Sequence, residues 1–124
     1  MQDIQLIIEA GDDGFWGLVT HNDDLIVDQA ETVEALQQNM KKLLLNFHEV
    51  PDVTFTLAYD LLAFFERYSY LKISKIAQEA GMNPTLLRHY ADGSKNPSAE
   101  QVKRIEEAVH RLAIELANVH LVAA

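Results

Sequence analysis

The chain is expected to be α+β, a βββαβ unit over residues 1–59 followed by an all-α bundle over residues 60–124 that closes on a long helix. Three observations predict this. Short β-branched and alternating runs separated by turn residues fill the first half, apart from one helical stripe. From Asp60 onward the apolar period becomes helical and stays so. Charge divides at the same place: Met1 to Asp60 carries 12 acids and 2 bases, whereas Leu61 to Ala124 carries 7 acids and 8 bases.

Ile4 to Ile8 is an apolar run that Gly11-Asp12-Asp13-Gly14 ends with hairpin-turn chemistry, and Phe15 to Thr20 returns as a second strand. Asn22-Asp23-Asp24 makes a second turn, with Leu25 to Asp28 as the third strand. Thr32 then stands where a hydroxyl caps a helix, with Glu34 favourably placed in the first turn. Val33, Leu36, Met40, Leu43, Leu44 and Phe47 repeat at three- and four-residue intervals, one stripe to lie on the sheet. Pro51 and Asp52 break it. Val53, Phe55, Leu57 and Tyr59 alternate with Thr54, Thr56 and Ala58, which is the period of a fourth strand.

Leu61, Leu62, Phe64, Phe65 and Tyr68 predict a short helix that opens the helical bundle, with no linker before it. Ile73 to Asp92 then has the spacing of two short helices crossing at a tight turn. Ala77 is the small contact residue and Gly81 the bend. Asn83 is placed to cap the second helix with Pro84 at its first position, and Ile76, Ala80, Met82, Leu87 and Tyr90 look inward. Ser98-Ala99-Glu100-Gln101 is a capping-box pattern that starts the last helix. Its Val102, Ile105, Val109, Leu112, Leu116 and Val119 alternate three and four apart, the seam of two helices packing side by side. Roughly from Leu112 to Leu121 that seam either meets the same helix of a second chain, through Val109, Leu112, Leu116 and Val119, or is covered within its own chain.

At 124 residues and 48% apolar content there is material for one ordinary domain or two small ones. No cysteine is present, so disulfides, thiolate metal sites and a cysteine nucleophile are excluded. No apolar run approaches a membrane span and Met1-Gln2-Asp3 lacks the basic flank of a secretory signal, so a cytoplasmic location is expected. The acidic first half would be repelled by phosphate and attract something basic, while the near-neutral second half is permitted to meet DNA.

The run ISKIAQEAGMNPTLLRHYAD with its Asp92-Gly93-Ser94-Lys95-Asn96-Pro97-Ser98 continuation resembles the helix-turn-helix of Cro/CI-type repressors. The whole chain, with Gly14-Phe15-Trp16 after the first turn and the Thr-capped helix TVEALQQNMKKLLLNF, resembles the HicB family of antitoxins. Where HicB chains commonly carry a Pro-Gly-Cys element, His21-Asn22-Asp23-Asp24 stands here. The resemblance implies a truncated RNase H-like first domain and a dimer. It implies that the first domain silences a small basic mRNA-cleaving toxin while the second represses its own operon. Trp16, beside a turn, is either an anchor for that toxin or half-buried core. The alternative is an orphan regulator, phage-derived in one version, whose first domain serves assembly or another protein contact.

In a helix-turn-helix the second helix enters the major groove, so the outward Thr85, Arg88 and His89 are the candidate base readers. Ser94 and Lys95 beyond it, and Lys72 and Lys75 at the start of the preceding helix, are placed for phosphate. Catalysis is not expected. A two-metal RNase H centre needs an acid inside the first strand, and Ile4-Gln5-Leu6-Ile7-Ile8 offers only Glu9 at its end. His21, His48, His89, His110 and His120 lack metal-ligand spacing, and Glu106 with His110 reads as a helix-surface pair. No serine stands in a triad pattern and no Gly-rich loop follows a strand, so no cofactor is expected.

Overall fold

Four strands, β1 (Gln2–Gly11), β2 (Gly14–His21), β3 (Asp24–Ala30) and β4 (Val53–Tyr59), form one mixed sheet in the order β3-β2-β1-β4. The computed structural model describes residues 1–124, with helices α1 (Val33–His48), α2 (Leu61–Arg67), α3 (Ile73–Ala80), α4 (Pro84–Asp92) and α5 (Ala99–Ala117). Contacts divide the chain into two units, Met1–Arg67 and Tyr68–Ala124. No helix is long and apolar enough to cross a membrane.

In the first unit β1 runs antiparallel to β2 and parallel to β4, with α1 in the connection that the parallel pairing requires. Both hairpins close on two residues. Asn22 and Asp23 adopt φ of 49° and 67°, the pair of positive values a type I′ turn needs, and Asn and Asp tolerate them best among side-chain-bearing residues. Ile4, Leu6 and Ile8 of β1, Val19 of β2, Ile26 of β3 and Val53 of β4 form one core with Val33, Leu36, Met40 and Leu44 of α1. Gly17 lets helix and sheet approach, because a Cβ there would meet Leu36 Cδ2 at 2.8 Å.

Thr32 caps α1 as expected, its hydroxyl accepting from Ala35 N at 3.0 Å. Phe47, expected on the apolar stripe, is instead 74% exposed. The reason lies at the helix end: Glu49 turns left-handed at φ 55°, Val50 N donates to Leu44 O at 3.0 Å, and Val50 closes the core in that place.

Leu61–Arg67 does not open the helical bundle, and the contact boundary falls after Arg67 rather than after Tyr59. Asp60 caps α2 through Ala63 N at 2.8 Å, Asp60 N donates to Ile8 O at 3.0 Å, and Ala63 is fully buried in the sheet's core. Arg67 at its end bonds Glu34 at 2.9 Å and the Tyr59 hydroxyl at 3.0 Å. An amphipathic stretch states which face it buries but not against which neighbour.

The second unit holds α3, α4 and α5. Ile76, Ala77, Ala80, Leu87, Tyr90, Ile105 and Ala108 are buried, while Met82, expected inward, is half-buried in the turn. Ser98 caps α5, accepting from Gln101 N at 3.2 Å. The expected seam divides along the helix. Ile105 is buried and Leu112 half-buried, whereas Val102 and Leu116 stand exposed with Val109 between them half-buried. The helix ends at Ala117, so Val119 lies beyond it. Asn118 sets that end, its side chain donating to Ile114 O at 3.0 Å and its N–H to Glu115 O.

Candidate nucleic-acid interface

The geometry of α3 and α4 follows from their junction. Gly81 adopts φ 68°, its N–H donates to Gln78 O at 3.2 Å, and Met82 N donates to Ala77 O at 3.0 Å. That pair of bonds is a Schellman motif, which needs a residue free to turn left-handed. Asn83 Oδ1 then accepts from Thr85 N at 2.8 Å and Pro84 begins α4, where its missing N–H leaves nothing unpaired. With Leu87 and Tyr90 buried, the opposite side of α4 is fixed outward.

Thr85 and Arg88, one helical turn apart, are exposed there, and His89 is half-buried beside them. Lys75 and Lys72 are exposed at the start of α3, and Lys95 in the turn after α4. Ser94 differs in kind from its neighbours. Its N–H donates to Asp92 Oδ1 at 2.8 Å and its hydroxyl lies 3.3 Å from His89 O, so its donors close the end of α4. Lys95 N also donates to His89 O, at 3.2 Å, which folds this turn onto the helix end. Hydrogen bonding from Ser94 holds the exposed Asp92 carboxyl below the usual carboxylate range, with His89 adding attraction.

Two arginines of α5 that no sequence motif marks hold the junction in place. Arg104 donates to Ala80 O at 2.9 Å and Gly81 O at 2.8 Å, satisfying carbonyls that the end of α3 leaves open. Arg111 pairs with Glu79 through its carboxylate at 3.1 Å and its carbonyl at 2.8 Å. These partners are 23 to 32 residues apart in sequence, so no local pattern announces them. They also engage two of the unit's seven bases, leaving Lys72, Lys75, Arg88, Lys95 and Lys103 as its other cations.

Chemically, α4 presents a hydroxyl and a guanidinium one helical turn apart with ammonium groups in the flanking segments, groups of the kinds that can hydrogen-bond base edges and phosphates. In the first unit Trp16 is 39% exposed on the sheet's solvent face, its indole over Gly11. An open hollow of about 440 Å³ beside the first hairpin is lined by Asp12, Asp13, Glu31, Glu34, Glu66 and Arg67, among others. No three His, Cys, Asp or Glu side chains converge as a metal ion would need. Compared with protein-family models, curated proteins and solved structures, the chain matches none.

Proposed function

We propose that the protein is an antitoxin-like transcriptional regulator of HicB type, reading operator DNA through α3 and α4 and neutralising a small basic mRNA-interferase toxin through its first unit. The observation that carries the reading is the outward face of α4, where Thr85 and Arg88 stand exposed on a junction held by Gly81, Asn83 and Arg104. Charge supports the division of labour. Met1–Arg67 carries 13 acids against 3 bases and Tyr68–Ala124 carries 6 against 7. On this reading the first unit is a truncated RNase H-like fold that has kept the sheet and not the chemistry. The second is a Cro/CI-type helix-turn-helix, and the protein acts in the cytoplasm by binding.

A single copy offers few cations for tight operator binding, and the line Val102, Val109 and Leu116 along α5 leaves apolar surface for another copy. In this account Val109, Leu112 and Leu116 serve a homodimer that reads a two-fold symmetric site. Footprinting of the full-length protein on the promoter of its own gene tests this. Two protected half-sites about one or two helical turns apart are expected. Absence of protection sinks the DNA reading. Protection with no small basic protein encoded beside the gene, or with one that does not bind, leaves an orphan regulator instead.

A further inference from the structure

The solvent face of the sheet carries an apolar row that only the strand register reveals. Ala58, Ile7, Leu18 and Val27 lie side by side across β4, β1, β2 and β3. Ile7 and Val27 are 40% and 45% exposed, and Trp16 adjoins the row on β2. A sheet with one wet face ordinarily turns polar residues outward. Here the row is apolar from edge to edge.

Its surroundings carry one sign of charge. Residues 2–30 and 53–59, which hold all four strands and both hairpin turns, contain seven carboxylates and no lysine or arginine. Asp3 is engaged by the hydroxyls of Thr54 at 3.0 Å and Thr56 at 2.7 Å. Glu9 stands in register beside Trp16, and Asp12, Asp13, Asp23 and Asp24 occupy or border the turns at the two ends.

We infer that this face is the docking surface for a cationic protein. The partner's apolar centre seats on the Ala58–Ile7–Leu18–Val27 row beside Trp16, and its Lys/Arg rim meets Glu9 and the turn aspartates. The inference rests on the reading of the first unit as the partner-binding half and adds the face. Charge selects the occupant. Nucleic acid and anionic lipid are repelled by the carboxylates, and a second copy would set the same carboxylates against each other. Size agrees with a rim contact. At about 4.8 Å between strands and 3.3 Å per residue, the four-strand face offers about 500 Å². A standard interface buries about 800 Å² per partner, so the partner must reach over the edges onto the acidic turns.

The test uses full-length protein with labelled Ile, Leu and Val methyls, titrated with the small basic partner that the proposed function expects to be encoded beside its gene. Expected are shifts or broadening at Ile7, Leu18 and Val27, and at least a tenfold rise in Kd for Val27→Lys with an unchanged far-UV spectrum. Because Val27 is exposed, this substitution leaves the core intact. Tight binding with those methyls unmoved and Val27→Lys neutral overturns the face while the toxin-binding reading stands. Absence of such a gene product, or no binding at all, overturns both.

Discussion

Residues 1–67 bury thirteen apolar side chains around Leu6, Leu36 and Met40, whereas residues 68–124 bury seven, three of them alanine. The first unit therefore draws its stability from packed volume. The second relies on specific bonds, namely the Schellman turn at Gly81, the Asn83 and Ser98 caps, and the arginines of α5 on the end of α3. Small buried residues let α3 approach its neighbours closely but remove little surface from water. The contrast teaches where each half is vulnerable.

The largest effect is expected in the first unit. Leu36→Ala leaves a cavity under a fully buried position and should cost about 2–5 kcal/mol. Trp16, the single tryptophan, reports that unit's unfolding by fluorescence in a urea titration. A loss under 1 kcal/mol would break the comparison. In the second unit, Arg104→Ala strands the Ala80 and Gly81 carbonyls and should cost about 1.5–3 kcal/mol. Helical circular dichroism is the measure, with the Trp16 transition unmoved. If both transitions shift together, the units are not separate in energy.

Much of this division is legible in the sequence. Thr32, the alternation of Val53 to Tyr59, and Gly81-Asn83-Pro84 act through neighbours within a few residues, so their patterns survive without a structure. What escapes is set at a distance. α2 has a clear apolar face, yet nothing local says that Ala63 joins the core of the sheet. Phe47 keeps the helical period but loses its place to Val50, and Val119 keeps the period past the end that Asn118 imposes on α5. At the candidate DNA face the outward positions of α4 follow from periodicity. The Arg104 clamp and the closing role of Ser94 depend on folded geometry.

A smaller effect sharpens the argument for pairing. Leu116 is 67% exposed, so its truncation costs the monomer little. Losing even one buried methylene per copy, about 0.8 kcal/mol each, should raise the dimer Kd of Leu116→Ala about tenfold, read by sedimentation. An unchanged Kd moves the interface elsewhere.

The smallest effect concerns acid. Asp92 is held below its ordinary pKa of 3.8 when folded, so its contribution is present above that value and fades as pH falls through the lower folded one. The stability gap between wild type and Asp92→Asn should therefore be flat above about pH 5 and narrow below pH 4. Thermal melts across that range check it, and a gap that widens on acidification contradicts the assigned cause.

The most direct measurement is the affinity of the full-length protein for its own promoter at one fixed salt concentration, wild type against Arg88→Ala. A loss of about 1–3 kcal/mol, with the melting curve unchanged, is the predicted result. Equal affinities, or wild-type binding no tighter than to unrelated DNA, would contradict a recognition role for the exposed face of α4.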